Sequence, residues 1–169
     1  MHYSLWTNIA TLGLVGRIKK APGTAGSFIA VLLAPLCFLP FGLVQRLLIL
    51  VVLFVIGLKA CEQAEQELGE HDPQSVIIDE VFGQWFTLLP VNVISYLGSK
   101  AIMPQEWFVL MFGFLLFRVL DISKIGPVGL CERKLHGGLG IMADDAMAGL
   151  LAAMLMYPFQ FYGNVIFGY

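Results

Sequence analysis

The sequence predicts an all-α polytopic membrane protein, a compact bundle of about four to five apolar helices plus an interfacial N-terminal segment. Three observations predict it. Hydrophobic residues make up 58% of the chain and charged residues only 13%, with a mean hydropathy of +0.80; soluble domains carry about 25% charged residues. The apolar residues gather in five blocks between charged or Gly/Pro-containing stretches. Inside a bilayer each backbone must satisfy its own hydrogen bonds, which makes those blocks helices. With 169 residues and no internal repeat, low-complexity tract or linker, the expectation is one domain over residues 1–169.

The N-terminal stretch Met1–Gly16 is short and mildly apolar, and reads as an interfacial segment. It has no basic region ahead of an apolar core, so a cleavable signal peptide is not expected. The five apolar segments run Ser27–Leu39, Phe41–Leu58, Val81–Ser99, Trp107–Leu120 and Ala146–Phe167. A crossing needs roughly 20 helical residues, and only the third and fifth reach that comfortably. Pro40 and Gly42 split the first two, and Arg46 in the second is expected to snorkel. The fourth has only eleven or so residues between Glu106 and Arg118. Glu62, Glu65, Glu67 and Glu70 read as the solvated face of a helix. Cys37, Cys61 and Cys131 show no CxxC spacing and read as unpaired. A net charge of −2 gives no reason to expect a nucleic-acid partner.

If all five segments cross, the stretches Arg17–Gly26, Lys59–Glu80 and Arg118–Asp145 share one side of the membrane. Eight of the ten Lys and Arg residues and eleven of the twelve acids then lie there. The positive-inside rule makes that face cytoplasmic. Chemistry gathered at one surface suits work on a lipid headgroup. Transport needs polar groups near the midplane.

Four polar clusters lie on that face. Pro22-Gly23-Thr24-Ala25-Gly26-Ser27 precedes an apolar helix, where Thr24, Ser27 and the local N–H groups suit a phosphate; the alternative is a plain turn and N-cap. In the second cluster, His71-Asp72 comes before Asp79 and Glu80, which open the third apolar segment as Asp144 and Asp145 open the fifth. Acids in a first helical turn serve as dipole caps, and two such pairs on one face also suit a shared Mg²⁺ site, since oxygen ligands favour a hard cation. In the third cluster Arg118 and Asp121, three apart, form either an intrahelical ion pair or a site with Asp121 on the metal and Arg118 or Lys124 on phosphate. The fourth holds the Asp144–Asp145 pair with Arg133, Lys134 and His136 upstream. Arg133 and Lys134 suit anionic headgroups. His136 suits a substrate-side proton shuttle or a structural role. Ala148 and Gly149, three and four residues after Asp145, let a second helix approach that carboxylate.

Pro-Gly-Thr-x-Gly-Ser, His-Asp, Asp-Glu-x-x-Gly, Phe-Arg-x-x-Asp-x-x-Lys and His-Gly-Gly-x-Gly-Ile-Met-x-Asp-Asp-x-x-Ala-Gly follow one another in this order. Over roughly residues 10 to 160 this set resembles the phosphatidylglycerophosphatase A family of bacterial membrane enzymes. The resemblance implies a Mg²⁺-dependent phosphatase of the bacterial inner membrane that removes the terminal phosphate of phosphatidylglycerophosphate to leave phosphatidylglycerol. By resemblance Asp79, Glu80, Asp121, Asp144 and Asp145 are the acidic site residues, and Thr24, Arg118 and Lys124 their phosphate-side partners. The family often has Lys-Pro after the third cluster, whereas Lys124 here is followed by Ile125. The alternative expectation is a small Mg²⁺ or proton-coupled transporter using the same acids. The Asp-Gly-x₂-Ala-Arg…Asp-x₃-Asp signature of CDP-alcohol phosphotransferases and a Cys-x₅-Arg phosphatase loop are both absent from the sequence.

Overall fold

In the computed structural model, which describes residues 3–91 and 104–167, the regular elements are helical. They are α1 (Leu5–Ala10), a 3₁₀ turn at Val15–Arg17, α2 (Pro22–Cys37), α3 (Leu43–Leu68), α4 (Ile78–Thr87), α5 (Pro104–Ser123), α6 (Pro127–Lys134) and α7 (Gly137–Phe167). The five apolar segments overlap α2, α3, α4, α5 and α7 in turn, and α7 packs against α3, α4, α5 and α6.

Helix ends account for the departures from the expected segments. The second segment does not stop at Leu58. Its helix starts behind Gly42, whose N–H donates to the Gln45 side chain at 2.7 Å, and runs 26 residues to a left-handed Gly69. The third is the reverse case. Val81–Ser99 is expected to be one long crossing, but α4 has ten residues and ends at Thr87, with Leu88 as its C-cap. Pro90 supplies no N–H and disfavours helix at the residue before it; residues 92–99 lie outside those described. Among the described residues two helices, α3 and α7, are long and apolar enough to cross a membrane. The sixteen residues of α2 and ten of α4 fall short of that length, and α5 carries Glu106, Arg118 and Asp121.

α7 corrects a further expectation. It begins at Gly137, so Asp144 and Asp145 are its eighth and ninth residues and not its mouth. The helix dipole acts within the first turn, so capping does not explain these two acids. Asp79 and Glu80 do sit in the first turn of α4.

Arg46 does not snorkel. It is 5% exposed, and its guanidinium donates to the carbonyls of Leu39, Phe41, Leu89 and Val91 at 2.5 to 3.3 Å. Those carbonyls follow the C-termini of α2 and α4, where helical partners run out. A five-donor fork suits this task better than an ammonium. One side chain thus ties the far ends of α2 and α4 to the start of α3. At the near end Glu67 accepts from the Ser4 N–H at 3.0 Å and from the Thr7 hydroxyl, which fastens α1 to α3. Glu67 therefore does more than solvate a helix face.

Glycines allow the tightest helix crossings. A Cβ on Gly149 would lie 2.5 Å from the carbonyl of Gly83, and one on Gly138 would lie 2.1 Å from the carbonyl of Leu58. The first crossing brings α4 against α7 beside Asp145, as Ala148 and Gly149 suggested. Cys37, Cys61 and Cys131 are all free thiols.

Replacing Arg46 by Met leaves four carbonyls without a donor, and each unmet buried group costs about 1–3 kcal/mol. Arg46→Met is expected to destabilise the protein by about 3 kcal/mol or more, with Arg46→Lys intermediate; denaturant unfolding in detergent measures both.

Candidate active site

The N-termini of α2 and α4, the C-terminus of α5 and the early turns of α7 enclose a cavity of about 360 Å³. Its lining comes from Ala21–Thr24, from Asp72–Glu80 and from Arg118–Asp145. These are the three stretches that the charge distribution assigned to one side. Of the ten residues expected at a site, Thr24, Asp79, Glu80, Arg118, Asp121, Lys124, Asp144 and Asp145 line it. Ser27 stands behind the wall, fully buried, donating to the Gly23 carbonyl at 2.9 Å and accepting from Arg118 at 3.3 Å. His136 does not line the cavity. It is exposed, and its ring lies 6.1 Å from that of His71, which pairs with Glu65.

The five acids separate into two groups. Asp79, Glu80 and Asp145 each offer an oxygen within 4.8 Å of the others. Asp79 Oδ1, Glu80 Oε2 and Asp145 Oδ2 are buried without a hydrogen-bond partner. Burial first, then the neighbouring Asp144 charge, pushes Asp79 up to about 7. Burial and the adjacent Asp79 hold Glu80 well above the usual carboxylate range. Unpaired buried carboxylates are costly. The fold nevertheless presses them together, through the Gly83–Gly149 crossing and through Gly23, where a Cβ would fall 2.0 Å from Glu80 Oε1. Three orphaned oxygens and no nitrogen or sulfur donor fit a hard divalent cation such as Mg²⁺.

Asp121 and Asp144 are instead bound to cations. Arg118 reaches Asp121 at 2.7 Å, one α5 turn away. Lys124 pairs with Asp144 on α7 and lies 3.7 Å from Glu132. Burial pulls the Lys124 ammonium down, but the Asp144 hydrogen bond and charge outweigh it and hold it above its ordinary value. Arg118 Nε is buried and unpartnered, so this guanidinium has a donor to spare.

The backbone is strained around the same space. Ala21, Asp72 and Lys124 have φ of +50°, +49° and +48°, and all three line the cavity. Left-handed conformations cost non-glycine residues about 1–2 kcal/mol each and cluster at functional sites. The chain turns left-handed at Lys124 itself, and α6 starts only after Gly126. Asp72 is the residue that the sequence reading left without a role. Its position in the wall follows from the turn after Gly69, and its only sequence signal was the His-Asp pair.

A sequence model of the family described as Phosphatidylglycerophosphatase A matches residues 8–160. The chain belongs to the phosphatidylglycerophosphatase A family. It is 36% identical over 144 residues to the Escherichia coli K12 protein named phosphatidylglycerophosphatase A, covering 84% of this chain and 76% of that one. The Haemophilus influenzae protein of the same name is 29% identical over 147 residues, 87% of this chain and 83% of the relative. A Bacteroides thetaiotaomicron protein provisionally named phosphatidylinositol-3-phosphatase is 39% identical over 143 residues, 80% of this chain and 81% of the relative. No solved structure matches the chain. Family membership and the gathering of the acids at one end of the bundle both count against the transporter alternative, which nothing among the described residues supports.

The raised Asp79 has a consequence for stability. Its folded value of about 7 lies above its ordinary 3.8, so between those values the folded state holds a proton that the unfolded chain has released. In EDTA this contribution is present at low pH and is lost as pH rises from about 4 to about 7. Thermal unfolding in detergent is expected to show that Asp79→Asn removes this part of the slope; identical slopes in the two proteins would contradict it.

Proposed function

We propose that this protein hydrolyses the terminal phosphomonoester of phosphatidylglycerophosphate to phosphatidylglycerol and phosphate, with Mg²⁺ as cofactor, at the cytoplasmic face of a bacterial inner membrane. The observation that carries the reading is the juxtaposition, in a chain of this family, of three orphaned carboxylates with two basic side chains across one cavity. Phosphomonoester hydrolysis needs both halves, because its reacting group is an anion that must be neutralised and held in line with an attacking water.

Asp79, Glu80 and Asp145 would hold the cation. Bound there, Mg²⁺ would supply charge neutralisation and lower the pKa of a coordinated water. Arg118 offers a planar fork to the phosphate oxygens, and Lys124 a point charge. Asp121 and Asp144 keep these two cations aimed into the cavity. The start of α2 adds neutral donors: its first turn carries no acid, Thr24 lines the cavity, and free N–H groups at a helix N-terminus suit an anion. A carboxylate of the trio accepts the proton of the attacking water as its oxygen bonds to phosphorus. The bond from phosphorus to the glycerol oxygen breaks, and that oxygen takes up the proton that the carboxylate accepted from the water, which leaves the carboxylate ionised again. Ser27 serves as a positioning residue, since its hydroxyl is held by Gly23 and steers Arg118.

Purified protein is expected to release phosphate from phosphatidylglycerophosphate with Mg²⁺ and not with EDTA. Asp145→Asn is expected to lower kcat by about 100-fold or more. Phosphatidylinositol 3-phosphate is the comparison substrate, given the name of the third relative. No release from folded protein on either lipid would refute the reading, and faster release from the inositol lipid would change the substrate.

Arg118→Lys keeps the charge but loses the fork. It is expected to raise KM by about tenfold while kcat falls less, which steady-state kinetics on mixed micelles would resolve.

A further inference from the structure

The cavity explains how a phosphate is held but not how a two-tailed lipid brings it there. Its lip supplies the lead. Ile122 lines the cavity and is also 67% exposed. It heads a strip on α5 with Val119 and Leu115, 61% and 59% exposed. The spacing of three and four residues places all three on one helix face. Arg118 lies next to this strip and reaches Ser27 on α2. One turn down, Phe28 of α2 meets Phe114 of α5 edge-on, with ring centroids 5.9 Å apart. The two helices are thus in contact from Ser27 and Arg118 to Phe28 and Phe114. The α5 strip flanks that contact on its open side, and Phe28, 43% exposed, flanks it from α2.

We propose that this α2–α5 seam seats the acyl chains of the lipid substrate, so that the phosphate enters the cavity sideways from the bilayer past Ile122. The inference rests on the lipid-phosphatase reading above and adds the route and the seat of the tails. The occupant follows from the two ends of the seam. An apolar strip that stops at a paired Arg118 and Lys124 is complementary to an amphiphile with an anionic head and hydrocarbon tails. The exposed face of α3 is the internal contrast. Val51 and Val55, each 59% exposed, are as apolar as the strip, but α3 contributes nothing to the cavity wall. That face meets ordinary lipid and has no part in guiding substrate.

The test uses the full-length protein in lipid nanodiscs, with phosphatidylglycerophosphate carrying a diazirine in the headgroup-proximal half of one acyl chain. Photolysis followed by peptide mapping is expected to label α2 and α5 near Phe28, Leu115 and Val119 in preference to α3. In parallel, Val119→Gln is expected to raise KM for the diacyl substrate about tenfold with kcat unchanged, while Val51→Gln leaves both parameters alone. Equal labelling of α3 and α5, or an equal KM change from the two variants, would overturn the seam. Phosphate release without seam labelling would overturn this inference and leave the catalytic reading standing. Preferential seam labelling in a protein that releases no phosphate would do the reverse.

Discussion

Three carboxylates are held together where each would rather be hydrated. Asp79, Glu80 and Asp145 converge within 4.8 Å, and one buried oxygen of each has no hydrogen-bond partner among the described residues. Nothing in this arrangement stabilises the fold on its own account, because desolvation and mutual repulsion both disfavour the charged forms. The rest of the molecule is what makes it tolerable. α4 and α7 cross at Gly83 and Gly149 with no room for a side chain, and Gly23 fits against Glu80. Under the proposed function, a divalent cation would answer all three acids at once through its charge and its preference for oxygen.

The remaining charged groups of the cavity are arranged by the opposite logic. Arg118 and Lys124 are each paired, to Asp121 and Asp144, and each is thereby fixed in direction without being neutralised by the trio. Two kinds of carboxylate, one orphaned and one paired, divide the cavity into an acidic half and a half that carries the two cations; the proposed function would put a metal in the first and a phosphate at the second. The left-handed residues Ala21, Asp72 and Lys124 mark where three separate connections are bent to close this space. Arg46 works at the far end of the bundle, where it collects the loose carbonyls after α2 and α4. It holds the helices whose near ends form the cavity.

The amino-acid sequence by itself determined that the chain is apolar and helical, and it singled out the three charged stretches that line one cavity. Composition and five apolar blocks are one-dimensional signals, and the alternation of charged stretches between them needs no packing to be read. It also supplied eight of the residues that line the cavity, because acids beside long apolar runs are conspicuous. Ser27 and His136 were equally conspicuous and stand outside the lining, one behind the wall and one against His71. Proximity in sequence does not say which way a side chain points.

Only the tertiary structure decided how the five acids divide. The Arg118–Asp121 pair lies within one helix and is one of the two alternatives that their spacing of three allows, but whether Lys124 reaches Asp144, and whether Asp79, Glu80 and Asp145 converge, depends on how α4 and the end of α5 meet α7. The same holds for Arg46, which hydropathy treats as a charge to be carried to the interface and which packing turns into a clamp. Helix ends were also out of reach of the pattern. α7 extends nine residues ahead of its apolar run, and α4 stops short within its own. Apolar periodicity reports burial, whereas caps, prolines and glycine crossings set where a helix begins and ends.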